Sequence, residues 1–145
     1  METYEFMKNG SELFNKIYNN YSLWAKRHGI SYNELSVLYT VFNNGKCTQK
    51  CICDEWFLPK QTVNSVCKNM IKTGIIIMEQ NPMDKRETLI SLTPKGRSIA
   101  EPITNELLTV EENVMQSMGK EKLIQFMSLY REYALIVEQK FGGKA

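Results

Sequence analysis

The fold is decided by residues 58–86, which read LPKQTVNSVCKNMIKTGIIIMEQNPMDKR. The first half has a helical pattern that carries three lysines and no acidic residue, and it ends at Gly74. Two short apolar runs follow, joined by a polar turn that ends with Asp84, Lys85 and Arg86. A basic helix followed directly by a hairpin with an arginine near its tip is typical of a winged helix-turn-helix, which contacts both grooves of DNA.

Three helices are predicted before this stretch. Residues 4–27 place aromatic and aliphatic side chains at spacings of three and four, which indicates an amphipathic helix with a strongly aromatic face. Ser31 and Glu34 form an S-x-x-E capping box that opens a second helix, and Gly45 ends it. Thr48 is a good N-cap for a third, shorter helix.

The basic stretch and the region after it predict three more helices and a hairpin. The fourth helix spans about residues 59–73 and turns inward Val63, Val66, Met70 and Ile71. Strands are predicted at residues 75–78 and 88–92. Thr93 and Pro94 start a fifth helix, in which Pro102 is expected to cause a kink or a break. A sixth helix follows Gly119 with a pattern close to a seven-residue repeat and ends at Gly142-Gly143. The predicted fold is mainly α with a small β-hairpin wing.

The composition indicates a single domain, and the excess positive charge lies in the middle of the chain. The chain has 145 residues, of which 43% are hydrophobic and 23% charged, as expected for one globular domain. The net charge of +2 is mild, but residues 30–97 hold nine Lys or Arg against six Asp or Glu. Residues 98–145 hold five against seven, so the positive excess lies in the predicted winged helix.

The compartment is predicted to be the cytoplasm. No apolar run approaches the ~18 residues of a membrane span, and the N-terminus lacks the basic-then-apolar order of a signal peptide. We therefore expect no membrane partner and expect the four cysteines to be reduced thiols.

Several local sequences, in this order, resemble the MarR family of bacterial transcriptional regulators. Residues 60–74 look like the family's recognition helix, residues 84–86 match its D-x-R wing motif, and residues 92–97 (LTPKGR) look like the start of its long fifth helix. The resemblance implies an intertwined homodimer in which residues 1–29 and 98–145 form the dimerisation region and residues 30–97 the winged helix-turn-helix. It also implies binding to a pseudo-palindromic DNA site, most often as a repressor, and release by a small-molecule or stress signal.

Three groups of residues are predicted to contact double-stranded DNA. The recognition helix offers base-reading and phosphate-binding side chains at Lys60, Gln61, Thr62, Asn64, Ser65 and Lys68. In the wing, Arg86 would enter the minor groove, Asp84 would hold its side chain by accepting a hydrogen bond, and Lys85 would reach a phosphate. Backbone N–H groups near Thr48 and Gln49 would bind a phosphate at a helix N-terminus. The alternative is an ordinary solvated helix face and turn.

The cysteines leave a redox or metal sensor as an alternative function. Cys47, Cys51 and Cys53 cluster at the start of the third helix, where Lys46 and Lys50 would lower a thiol pKa. Their C-x3-C-x-C spacing differs from the C-x2-C spacing of zinc knuckles, so structural thiols and no bound metal are favoured.

A ligand pocket for a small aromatic or lipophilic effector is suggested by the resemblance. The family's pocket lies where the first helix meets the DNA-binding part, which here carries Tyr18, Tyr21, Trp24 and His28. The alternative is that these rings fill a dimer core. We expect no cofactor and no enzymatic activity, because the sequence has no nucleophile with its base and no phosphate-binding loop. A ligand-sensing interaction protein without DNA binding is the remaining alternative.

Overall fold

A computed structural model describes residues 2–142, which form six helices and three strands. The elements, in chain order, are α1 Thr3–Arg27, α2 Tyr32–Asn44, β1 Lys46–Thr48, α3 Gln49–Trp56, α4 Lys60–Lys72, β2 Ile76–Gln80, β3 Thr88–Leu92, α5 Pro94–Met118 and α6 Lys120–Lys140. The mainly α fold with a winged helix-turn-helix is confirmed. Gly142 has a left-handed backbone after α6, whereas Gly143 lies outside the described residues.

The predicted helix starts are confirmed by their capping hydrogen bonds. Ser31 and Glu34 form the reciprocal capping box, with the Glu34 N–H donating to Ser31 Oγ at 3.1 Å and the Ser31 N–H donating to Glu34 Oε2 at 2.7 Å. Thr48 Oγ1 accepts a hydrogen bond from the Cys51 N–H at 3.1 Å. Thr93 Oγ1 accepts one from the Gly96 N–H at 2.9 Å. These side chains satisfy N–H groups that have no partner within the helix.

The sheet has three antiparallel strands in the order β1-β3-β2, one more than predicted. In the wing hairpin, β2 pairs with β3 from Ile76 opposite Leu92 to Gln80 opposite Thr88. The first wing strand therefore runs over residues 76–80 instead of 75–78. The additional strand, β1, pairs with the other edge of β3, with Cys47 opposite Ile90. Three residues are too few to produce an alternating pattern, so β1 exists through its pairing with β3.

The chain divides into two compact units, residues 1–104 and 105–145. The core of the first unit is formed by buried side chains from α2, α3, α4, the sheet and the first part of α5, among them Leu38, Ile52, Met70, Ile90 and Ala100. This core fixes α4 and the wing within one packed unit. None of the helices in residues 2–142 is long and apolar enough to cross a membrane.

The inward face of α4 differs from the predicted one at two positions, 67 and 71. Val63 and Met70 are buried and Val66 packs partly against the core, as expected. Ile71 is 42% exposed, whereas Cys67 is fully buried. The actual stripe therefore follows residues 63, 67 and 70, at the four- and three-residue spacing of a helix face.

Of the kink or break predicted at Pro102, the break does not occur, because α5 continues through this residue. The helix is continuous from Pro94 to Met118. A proline removes one helical hydrogen bond, here the bond that would reach the carbonyl of Ser98, and leaves the remaining bonds of the helix in place.

Candidate nucleic-acid interface

The α4 helix is held by one face and presents a polar, basic face on its other side. Lys60, Gln61, Ser65 and Lys68 are exposed, while Thr62 and Asn64 are half-buried. Pro59 precedes the first turn and makes no side-chain cap to it in the described chain, and that turn holds no acidic residue. The N-terminal end of α4 therefore combines partial positive charge with exposed donors, an arrangement suited to DNA.

The wing tip is held by local hydrogen bonds. Asn81 Oδ1 accepts from the Met83 N–H at 3.0 Å, and Asp84 Oδ1 accepts from the Arg86 N–H at 3.0 Å. Gln80 Nε2 donates to the carbonyl of Lys85 at 2.8 Å. Asx turns of this kind fix the backbone without using the sheet ladder. The tip is therefore a defined turn.

Asp84 acts on Arg86 differently from the prediction. Its carboxylate receives the backbone N–H of Arg86, while Arg86 Nε lies 3.8 Å from Asp84 Oδ1, too far for a hydrogen bond. The Arg86 side chain is 93% exposed. Asp84 thus positions the backbone and forms only a long ion pair with the guanidinium, which remains exposed to a partner.

The start of α3 carries the two residues that were predicted to hold a phosphate. Thr48 and Gln49 are half-buried, and the Thr48 hydroxyl is occupied as the helix cap. The neighbouring lysines are engaged by carboxylates: Lys46 Nζ lies 3.4 Å from Glu79 Oε2, and Lys50 Nζ lies 2.6 Å from Asp54 Oδ2. A phosphate at this end would be contacted by backbone N–H groups or by the Thr48 O–H, which the capping bond does not use.

The root of the wing is attached to α5 by contacts between residues about twenty positions apart in the sequence, which local spacing does not predict. Lys95 Nζ donates to the carbonyl of Thr73 at 2.7 Å, and the Thr93 hydroxyl donates to the carbonyl of Gly74 at 2.5 Å. A Cβ atom added at Gly96 would lie 1.9 Å from the carbonyl oxygen of Ile75. The L-T-P-K-G-R motif therefore joins the end of α4, the start of β2 and α5.

A cluster of aromatic rings joins α1, α2 and α3 within the first unit. The ring centroids of Tyr18 and Tyr32 are 4.6 Å apart. The centroid of Trp56 lies 5.3 Å from that of Tyr32 and 5.8 Å from that of Tyr39. Trp56 Nε1 donates to Thr40 Oγ1 at 2.8 Å. Burial, followed by the nearby Tyr18 hydroxyl, raises the pKa of Tyr32. Of these rings, only Tyr18 was among the predicted pocket residues.

The other predicted pocket residues lie in a separate contact or are half-buried. Trp24 is buried, its ring stacks on His28 at 3.8 Å, and its carbonyl oxygen lies 2.9 Å from His28 Nδ1. Tyr21 is half-buried. The structure therefore places Tyr18 in the ring cluster and pairs Trp24 with His28 at the end of α1.

Three of the cysteines, Cys47, Cys51 and Cys67, lie in surroundings that disfavour the thiolate, and at Cys51 burial and Glu55 outweigh the lowering of the pKa by Lys50. Burial raises the pKa of Cys47 to about 12 and that of Cys67 to about 11. Burial also raises the pKa of Cys51, as does its hydrogen bond to Glu55, whose Oε1 lies 3.2 Å from Cys51 Sγ. Within residues 2–142, no group of three His, Cys, Asp or Glu side chains is placed to hold a metal ion.

The raised pKa of Cys47 predicts a loss of stability at alkaline pH. Below pH 9 the thiol is protonated in both states, whereas between about 9 and 12 the unfolded chain loses a proton that the folded chain retains. The free energy of unfolding should therefore fall as the pH rises from about 9 through about 12. Denaturant titrations across this range should show a shallower fall for Cys47→Ala. Equal slopes in the two proteins would contradict the assignment.

Comparisons with known proteins agree with this geometry. The profile of the MarR family matches residues 28–87. The chain is similar to the transcriptional regulator SarZ of Staphylococcus aureus, with 26% identity over 88 residues. That match covers 61% of this chain and 60% of the SarZ length.

Solved structures extend the similarity over nearly the whole chain. A MarR family regulator from Neisseria meningitidis is 30% identical, with a TM-score of 0.84 and 98% of each chain covered. A MarR mutant from E. coli complexed with operator DNA shares the fold, at 14% identity and a TM-score of 0.67, over 92% of this chain and 99% of its own. This chain therefore belongs to the MarR family.

Proposed function

We propose that this protein is a sequence-specific DNA-binding transcriptional regulator that acts as a homodimer on a pseudo-palindromic operator, with repression as its mode. The observation that carries the proposal is the pairing of two exposed basic elements in one packed unit. Val63, Cys67 and Met70 anchor α4, which leaves its polar face for the major groove. The wing tip offers Arg86 to the minor groove.

The homodimer is supported by apolar surface on the terminal helices. Phe14 and Ile17 on α1 are each 60% exposed, and Leu129 on α6 is 61% exposed. No residue of α6 is buried in the described chain, although the helix carries many apolar side chains. Apolar surface of this extent marks an interaction site, and a second copy of the chain supplies matching helices. Residues 1–29 and 98–145 are thus proposed for dimerisation and residues 30–97 for DNA.

A small aromatic or lipophilic effector is proposed to act beside the aromatic cluster. Tyr18 is 41% exposed on α1 and contacts Tyr32, which in turn contacts Trp56 on α3. A ligand that binds against Tyr18 and favours one arrangement of these rings would bias the position of α3 and, with it, the population competent to bind DNA. Tyr21, Trp24 and His28 are proposed as the neighbouring part of this site.

Selection of bound DNA from a random pool tests the regulator proposal. The expected result is an enriched palindrome with half-sites centred about one helical turn apart. Gln61→Ala should relax the preference at one position in each half-site, because a base-edge hydrogen bond is lost. Lys72→Ala, an exposed change at the other end of α4, should leave the selected sequence unchanged.

Two outcomes of the selection would contradict the proposal. A pool without any enriched sequence would exclude sequence-specific binding, and a single unrepeated half-site would exclude a symmetric dimer. A promoter that contains the selected site should lose expression when the protein is produced. Increased expression would contradict the repressor role.

A further inference from the structure

Phe57, in the turn between α3 and α4, has a backbone conformation that its side chain disfavours. Its φ and ψ are 50° and 48°, in the left-handed region, and among the described residues it is the only non-glycine with positive φ. The N–H groups of Phe57 and Leu58 both donate to the carbonyl of Cys53, which closes α3. Glycine usually occupies this helix-ending position because it has no Cβ.

The phenylalanine ring adds little to the packing of the fold. It is 93% exposed, whereas its neighbour Leu58 packs partly against the core. A glycine would close α3 through the same backbone bonds without a strained Cβ or a hydrated aromatic ring. Phe57 therefore lacks a folding role that would offset these two costs, which points to a role in binding.

The position of Phe57 suggests its binding partner. Phe57 lies three residues before Lys60, the first residue of α4. It is therefore next to the N-terminal end of α4, the end that enters the major groove in the proposed function. A phenyl ring has no hydrogen-bond donor for a phosphate or a polar base edge. In the major groove the exposed apolar group of a base pair is the C5-methyl of thymine, which aromatic side chains contact.

We propose that Phe57 is a specificity-determining residue that reads the methyl group of a thymine in each half-site. This inference rests on the proposed function. It adds an apolar contact to the polar contacts of Gln61 and Asn64. The selected operator should accordingly contain one thymine position per half-site whose importance comes from its methyl group.

The test compares operators in which each thymine of a half-site is replaced in turn by deoxyuridine, which lacks the methyl. Wild-type protein should lose affinity roughly fourfold at one position, the effect of one buried methyl group. Phe57→Ala and Phe57→Gly should both bind the normal operator more weakly and should not respond to that replacement. Met83→Ala, which removes a side chain that is 92% exposed on the wing, should keep the wild-type response.

Thermal unfolding of the two variants separates the ring from the backbone. Alanine retains a Cβ in the left-handed conformation, whereas glycine does not, so Phe57→Gly should unfold at a higher temperature than Phe57→Ala while binding DNA equally weakly. Wild-type affinity and deoxyuridine response in both variants would overturn the proposal. A changed oligomeric state with an unchanged deoxyuridine response would also overturn it, because the ring would then serve a protein contact. Failure of wild-type protein to select any DNA would overturn the proposed function as well.

Discussion

Arg86→Ala is expected to lower operator affinity about 100-fold, since a dimer presents two wings and each would lose about 1.4 kcal/mol. The wing hydrogen bonds hold the Arg86 backbone, and the side chain is 93% exposed, so the substitution removes a guanidinium without disturbing the fold. A narrow minor groove concentrates negative potential, which favours the weakly hydrated guanidinium. The loss should appear across operator sequences.

The salt dependence of binding tells whether Arg86→Ala weakens binding by removing an ionic contact to DNA or by altering the conformation of the protein. Removing one cationic contact per protomer should reduce the slope of log affinity against log salt by about 2 for the dimer. Arg86→Lys should retain most of the slope but recover only part of the affinity. Lys8→Ala removes an exposed positive charge from α1 and, once shown to be dimeric, should leave the slope unchanged. An Arg86→Ala protein with the wild-type slope would exclude the wing from DNA contact.

The parts of the fold that could be predicted depend on local chemistry. Ser31, Thr48 and Thr93 are caps because a short hydroxyl side chain accepts from the N–H group three residues later, which sequence spacing encodes directly. The position of the wing followed in the same way from turn residues between two apolar runs. The role of Asp84 was harder to predict from the sequence, since its carboxylate could accept a hydrogen bond from either the backbone N–H or the guanidinium of Arg86.

Contacts between distant residues could not be predicted from periodicity. Strand β1 forms because Cys47 pairs opposite Ile90, 43 residues later in the chain. The contacts of Trp56 with Tyr32 and Tyr39 join separate helices, and the spacing of residues within α3 carries no information on these partners. Phe57 was missed because a left-handed backbone at a non-glycine residue has no marker in the sequence.

Gly96→Ala is expected to destabilise the protein by about 3 kcal/mol, at the upper end of the usual cost of overpacking. The added Cβ would lie 1.9 Å from the carbonyl oxygen of Ile75 and 2.8 Å from its carbonyl carbon. Both are backbone atoms at the start of the wing, so no side-chain rotation relieves the overlap. Either α5 or the root of β2 must move, which disturbs the hydrogen bonds of Thr93 and Lys95 to the end of α4.

Gly10→Ala is the matched control, because a Cβ there would have no neighbour within 4 Å. Gly10 lies inside α1, where alanine is favoured over glycine by up to about 1 kcal/mol, so this variant should be as stable as wild type or more stable. The three proteins should be compared by denaturant titration at the same protein concentration, because the stability of a dimer depends on its concentration. Equal stability of the two alanine variants would show that α5 and the wing can separate at little cost. The wing would then be less firmly attached to the core of its unit than the close approach at Gly96 implies.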